Sequence, residues 1–407
     1  MKAGALLSHA ARNPLRNGRR SAMILVILAA STLTLFVTNM YLAQMYRGMS
    51  LGYVYQTGNL QVARRGFWDP KREGELVMER ELVERAGEIA RGETALVRIN
   101  AELSVQGLLG TELRSTVVNG MGVEAERAGG YAGYVLVKSG FVLDSGDVEG
   151  VIVGEPIADK LGIQAEDYVN IMATAVDGSL NLVSARVAGV VSTGMGQADA
   201  YFLAGNLDFV RQLRGTEGAE RLLLFLREDA PLDAVAESLA ERFAAEGLDL
   251  EIRTWEELNP FYFELKGLYD AIFAFIKVII AVLVLLAVAE IVSMSFFERF
   301  RELGTLRAIG TTRGEILAML LVEVGLYASV GVAVGASLGA GLAALLNGLG
   351  LSWTPPGSTN PVPFGFFLRW RYLASPVLIV YCASLVAALV PAIRSARMRV
   401  AEELKYE

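Results

Sequence analysis

The sequence predicts an α-helical membrane protein with four transmembrane helices and a large extracytoplasmic α+β domain inserted between helices 1 and 2. Three observations predict this class. Long apolar runs punctuate a chain of 407 residues that is 53% hydrophobic, with a mean hydropathy of +0.41, high for a soluble protein of this size. Charge is partitioned: residues 47–265 carry 20 Lys and Arg against 35 Asp and Glu, whereas the remainder carries 17 against 9. The basic residues of the short connections also concentrate on alternate sides of the apolar runs.

Residues 1–20 form a basic N-terminal segment. Ser21–Tyr46 has no charged residue, and as a helix it reaches about 39 Å, more than the ~30 Å hydrocarbon core of a bilayer. The run is too long for a cleavable signal peptide, so it reads as an uncleaved anchor and the first membrane helix. Residues 47–265 follow as the external domain. Helices are expected over Glu75–Arg91 and Pro231–Glu246, the second with Val235, Leu239 and Phe243 on one face behind a starting proline. Strands are expected over Tyr168–Thr174 and Leu180–Val191, joined through the turn pair Asp177-Gly178, and over the short apolar runs Leu222–Leu226 and Leu248–Ile252.

Residues 260–276 extend the second membrane helix outward, so 266–297 holds a stalk and a crossing over Val278–Phe297 interrupted only by Glu290. A cytoplasmic connection (298–315) leads to the third helix (316–346), whose only charge is Glu323. A short external loop (347–375), an uncharged fourth helix (376–393) and a tail (394–407) complete the chain. The N-terminal segment, the 298–315 connection and the tail hold 13 Lys and Arg against 2 in the 347–375 loop. That asymmetry places both termini and the 298–315 connection in the cytoplasm.

Several chemistries are absent. His9 is the only histidine and Cys382 the only cysteine, and no CxxC or HExxH occurs, which removes the usual zinc and thiol sets. No catalytic, cofactor-binding or metal-binding residue is expected, and nothing points to nucleic acid. Without a single Gly-Lys dipeptide there is no loop of the Walker A type to cradle ATP phosphates. If ATP drives this protein, another chain binds it.

The stretch Glu298-Arg299-Phe300-Arg301-Glu302-Leu303-Gly304-Thr305-Leu306-Arg307-Ala308-Ile309-Gly310 resembles the signature of the FtsX/MacB-type ABC transporter permeases. Arg12-Asn13, Arg16-Asn17 and Arg19-Arg20 near the start and Pro391-Ala392 with Arg394 and Ala396 near the end extend the likeness. The resemblance implies a multi-pass protein of the bacterial cytoplasmic (inner) membrane. It further implies a permease dimer, homo- or heteromeric, bound to two ABC ATPase subunits that carry ATP and Mg. The cytoplasmic stretch would then be the coupling helix. Independently of the resemblance, Glu298, Arg301, Glu302 and Arg307 offer charge-assisted contacts to a partner, with Leu303, Leu306 and Ile309 as apolar anchors, the alternative being an ordinary positive-inside loop.

Other residues stand out within the apolar runs. Gly331, Gly335 and Gly339 form a small-residue stripe suited either to packing within one protomer or to a seam between two. Glu290 and Glu323 would be costly against lipid, so they serve structural pairing or the coupling and substrate path. Ser31, Thr34, Thr38 and Tyr41 share one face of the first helix. With Val278 of the second helix they are candidates to line a substrate cavity, the alternative being hydroxyls bonded back to their own helix.

In the external domain, Gly58–Val62, Val153–Gly162 and Val187–Ala200 look like segments of lipoprotein-releasing (LolC/LolE-like) permeases. That branch implies extraction of a lipid-anchored or amphiphilic substrate from the outer leaflet, with a periplasmic chaperone or adaptor as a further partner. Mechanotransmission through a periplasmic adaptor, and activation of a cell-wall hydrolase, are the alternatives the family offers.

Overall fold

The computed structural model describes residues 18–71, 76–124, 135–143, 149–194, 196–298, 305, 310–353, 362–363 and 365–397. It divides into two compact units, Gly48–Glu264 with Ser352–Val362, and the remainder of the chain. The elements in chain order begin with helix α1 (Gly18–Thr57), strand β1 (Leu60–Arg64), α2 (Arg80–Arg91), β2 (Leu96–Gly110), β3 (Ser115–Val123), β4 (Leu136–Gly140) and β5 (Gly150–Gly154). They continue with α3 (Glu155–Leu161), β6 (Tyr168–Thr174), β7 (Leu180–Ser192), α4 (Gly196–Asp199), β8 (Phe202–Asn206), α5 (Leu207–Arg214), β9 (Arg221–Leu226), α6 (Leu232–Ala245) and β10 (Leu250–Thr254). A short α7 (Trp255–Leu258) precedes α8 (Pro260–Glu298), α9 (Arg313–Gly348), a 3-10 turn (Trp370–Leu373) and α10 (Ala374–Arg397).

Helices α1, α8, α9 and α10 are each long and apolar enough to cross a membrane. Their shared core is aliphatic, with Leu28 and Leu35 of α1, Val284 and Val288 of α8, Val324 of α9 and Val380 of α10 in one cluster. α1 continues past Tyr46 to Thr57, because nothing in 47–57 breaks a helix. It stops where Gly58 takes φ +71 and donates its N–H to the Val54 carbonyl at 2.8 Å, a left-handed cap that other residues adopt at a cost. α9 and α10 likewise extend a few residues beyond the expected 316–346 and 376–393.

In the other unit the sheet order is β10-β1-β9-β2-β3-β8-β5-β7-β4, and β6 pairs with both β2 and β7. The second pairing closes β2, β3, β8, β5, β7 and β6 into a ring whose interior holds Leu109, Val118, Val169 and Ile171. The long β2 makes this possible. Its first half pairs with β9 and its last residues with β6.

Two expected boundaries move for identifiable reasons. α2 starts at Arg80 rather than Glu75, since Met78 pairs with Ala219 in an isolated antiparallel bridge that holds the preceding backbone extended. β10 starts at Leu250 rather than Leu248. The Leu248 N–H instead closes the end of α6 on the Phe243 carbonyl at 2.9 Å, as the residue beyond a Schellman turn does. The Asp177-Gly178 pair does make the β6–β7 turn, with Gly178 at φ +85 and the Asp177 carboxylate accepting from the Ser179 N–H at 2.9 Å.

Candidate functional site

The connection between α8 and α9 is the first candidate. Arg301, Glu302, Leu303, Leu306, Arg307, Ala308 and Ile309 lie outside the described residues, and of Glu298 only its place at the end of α8 is described. Thr305 is helical and exposed. Gly310 has φ +103, so the chain turns there in a conformation glycine alone takes without strain. Immediately afterwards Thr312 and Glu315 form a reciprocal capping box. The Glu315 carboxylate accepts from the Thr312 N–H at 2.9 Å and the Thr312 hydroxyl accepts from the Glu315 N–H at 3.3 Å. The T-x-x-E spacing is the sequence signal for this cap, and it fixes where the connection ends and α9 begins.

The glycine stripe lies against α1 of the same chain. A Cβ on Gly331 would sit 2.5 Å from the Leu28 Cβ, one on Gly335 2.4 Å from the Ala29 carbonyl oxygen, and one on Gly339 2.9 Å from the Phe36 ring. Gly335 therefore permits an approach of two helix backbones that any side chain would prevent. The hydroxyl stripe of α1 divides. Thr34 is exposed but its hydroxyl donates to the Ala30 carbonyl at 2.9 Å, Ser31 and Thr38 are half-buried, and the Tyr41 ring packs 6.5 Å from that of Phe366. Val278 is 59% exposed, on a helix that buries only 11% of its apolar window against 39% for α1 and 44% for α9. The two intramembrane carboxylates are placed differently: Glu323 is buried and Glu290 is exposed.

Sequence reasoning missed a pair of polar clamps. Asn39 of α1 donates to the Tyr372 carbonyl at 2.9 Å and to the Ser375 hydroxyl at 3.0 Å. Asn347 of α9 donates to the Phe366 carbonyl at 2.9 Å and accepts from the Phe366 N–H at 2.8 Å. Together they fasten the segment before α10 to two other helices. An asparagine near the end of an uncharged apolar run was the available signal, since such a group seeks a partner when water is excluded.

The Gly48–Glu264 unit holds two buried polar sets. Glu220 accepts from the Ser104 N–H at 3.1 Å and the Ser104 hydroxyl at 2.5 Å, and lies 3.8 Å from the guanidinium of Arg214, both side chains being buried. Arg214 also donates to the Thr174 carbonyl at 2.6 Å, and Arg221 donates to Glu102. Burial holds the Glu102 carboxyl above its ordinary 4.5, opposed by the Arg221 charge and reinforced by Glu220. The folded chain thus binds this proton more tightly than the unfolded chain does, so this group's contribution falls as pH rises from 4.5 through the raised value. Glu102→Gln is expected to flatten that decline, read as the denaturant midpoint of the chain against pH.

The ring also presents an apolar row to solvent. Val117 of β3 pairs with Leu108 of β2, Leu108 with Met172 of β6, and Met172 with Leu182 of β7. Val117 is 55% exposed and Leu182 66%. Aligned aliphatic side chains on a solvent-facing sheet usually mark a surface that meets something apolar.

Comparisons with known proteins agree with the membrane unit. Residues 272–400 match the family described as FtsX-like permease C-terminal, which takes in most of α8, the connection, α9 and α10. The uncharacterized ABC transporter permease YknZ of Bacillus subtilis is 28% identical over 30% of this chain and 28% of its own length. An uncharacterized ABC transporter permease of Methanocaldococcus jannaschii is 23% identical over 54% of this chain and 55% of its own. The matched stretches therefore span about half or less of these relatives.

Among solved structures, the periplasmic region of MacB from Actinobacillus actinomycetemcomitans is similar at 16% identity and a TM-score of 0.37, covering 51% of this chain and 94% of that one. The extracellular domain of YknZ is similar at 12% identity and a TM-score of 0.35, covering 48% and 99%. These relatives do not single out the lipoprotein-releasing branch. Two of the motif residues behind that likeness have structural work: the Asn59 side chain accepts from the Leu226 N–H at 2.9 Å, and Gly154 leaves room for the Asp199 carbonyl, which would lie 2.0 Å from a Cβ.

Proposed function

We propose that this chain is the membrane-spanning permease subunit of an ATP-binding cassette machine, paired with a second permease protomer and driven by ATPase subunits on separate chains. The observation that carries the reading is the FtsX-like match over residues 272–400, which brackets the charged connection between α8 and α9. That connection docks on the ATPase. The sparsely covered apolar face of α8 meets the second protomer, and α1 with α8 borders the cavity between them. The cargo is a lipid-anchored or otherwise amphiphilic molecule taken from the outer leaflet, and the row of exposed Val117, Leu108 and Leu182 with half-buried Met172 supports an apolar cargo moiety. ATP binding on the partner closes the connections of the two protomers, and α1 and α8 carry the movement to the Gly48–Glu264 unit.

Charge reversal at both Glu302 and Arg307 tests the docking. Wild-type chain is expected to copurify with its ATPase, and the reversed variant to lose association by about 2 kcal/mol or more, the cost of mismatched charges at an interface. Undiminished association together with full ATPase stimulation would refute it. The cargo is tested by photo-crosslinkers at Thr34, Thr38 and Val278. An acylated protein or lipid in the adduct is expected, whereas recovery of a periplasmic adaptor without any amphiphile sinks the cargo assignment and leaves mechanotransmission in its place.

A further inference from the structure

The segment between α9 and α10 is built in a way that the permease reading does not use. Its first part is anchored: Phe366 is buried with Phe36, Met40 and Ala343 and is held through both backbone groups by Asn347. Its last part is anchored as well, through Asn39 on the Tyr372 carbonyl. Between these fixed points the chain turns three apolar side chains outward. Phe367 is 38% exposed, Leu368 58% and Trp370 86%, although large apolar residues so exposed are uncommon in water and a nearly bare tryptophan is more so.

Two arginines alternate with them. Arg369 and Arg371 are exposed, and among the described residues neither has a carboxylate partner. Arg371 donates to the Tyr372 hydroxyl at 2.9 Å and its guanidinium lies 5.0 Å from that ring's centre, which directs the charge along the surface. A third cation stands nearby, with the Arg47 guanidinium 4.8 Å from the centre of the Phe367 ring. The fourth membrane helix begins at once, at Ala374. The segment therefore sits at the depth where hydrocarbon gives way to headgroups, the level that favours tryptophan and tyrosine rings and lets arginine reach outward to phosphate.

We propose that residues 367–371 are a lipid-headgroup site, with Phe367, Leu368 and Trp370 inserted at the acyl boundary and Arg369 and Arg371 binding the phosphates of anionic phospholipids. Charge complementarity and continuity with the membrane surface at the start of α10 select this occupant. The site fastens the outer end of α10 to the bilayer while Asn39 and Asn347 fasten the same segment to α1 and α9. A headgroup bound there thus becomes part of the bundle's frame.

The test uses the full chain in nanodiscs of phosphatidylcholine with and without phosphatidylglycerol. Cys382 is the only native cysteine, so C382A with L368C gives one nitroxide position, and C382A with L113C gives a control on a side chain 92% exposed in the other unit. The label at 368 is expected to be reached by oxygen and shielded from a water-soluble nickel chelate, unlike the control. Equal access of the chelate to both positions overturns the insertion.

Headgroup binding is read separately, as phosphatidylglycerol retained on the chain in native mass spectrometry. Substituting R369S and R371S is expected to lower that preference by about fivefold for each arginine, and inorganic phosphate is expected not to displace the lipid. Unchanged retention in the doubly substituted chain, or displacement by phosphate alone, overturns the headgroup assignment. Should that variant fold poorly, the phosphate competition on the wild-type chain decides the same point.

Discussion

Gly335→Leu is expected to abolish the packed helix bundle, because the site has no room for even a methyl group. A Cβ there would lie 2.4 Å from the Ala29 carbonyl oxygen and 2.7 Å from the Thr32 Cβ, so the neighbour is largely backbone that cannot rotate away. Thr32 is itself pinned, its hydroxyl donating to the Leu28 carbonyl at 2.8 Å. Gly335→Ala should then cost about 1–3 kcal/mol, as overpacking of a tight interior does, and leucine more, since α1 and α9 must part along the whole stripe. Gly341 of the same helix provides the control. Nothing lies within 4 Å of a Cβ built there, so Gly341→Ala is expected to be neutral or to stabilise by up to ~1 kcal/mol through helix propensity. Thermal unfolding in detergent, followed by light scattering and protease resistance, separates the variants. The alternative use of the stripe, as a seam between protomers, makes a different prediction: Gly335→Leu would then leave a well-folded monomer and abolish only the dimer.

The difference between what could and could not be read from the sequence follows the range of the interactions. A run such as Ser21–Tyr46 declares itself because a bilayer imposes length and apolarity on every span, whatever the span's neighbours. The helical face of Val235, Leu239 and Phe243 is local in the same sense, and all three are buried. The ring of strands is not local. Alternation identifies β6 as a strand, but its pairing with β2, as in Leu109 with Ile171, depends on a partner some sixty residues away. Nothing in either segment names the other. The clamps at Asn39 and Asn347 are harder still, because their partners include main-chain carbonyls, which every residue has. For the connection after α8 the order is reversed: composition and motif identify its residues, Gly310 and the Thr312 cap define its end, and the residues between carry the chemical proposal.

Asp199→Ala is expected to produce a large loss of stability in the Gly48–Glu264 unit. The residue is 2% exposed and belongs to a one-turn helix that would hardly persist alone. Its carboxylate accepts from the Ser192 hydroxyl at 2.8 Å, the Thr193 N–H at 2.8 Å and the Thr193 hydroxyl at 2.6 Å. Those donors end β7, which pairs with β4, β5 and β6, so the carboxylate ties a strand with three partners to the turn that follows it. Alanine removes the acceptor these three groups share, and a buried donor left unsatisfied costs about 1–3 kcal/mol, with other partners and water entry recovering part of the loss. A net destabilisation of about 3 kcal/mol or more is expected, seen as faster amide exchange in β5 and β7 while the membrane helices stay protected. Asp199→Asn keeps one acceptor oxygen and should fall between. Gly154→Ala should reproduce the effect from the opposite side, since its methyl would drive into the Asp199 carbonyl at 2.0 Å and displace the same carboxylate from its donors. If Asp199→Ala and Gly154→Ala both exchange like wild type, the carboxylate is not what holds β7 to this turn. The β5 and β7 pairings alone would then account for the protection of the ring.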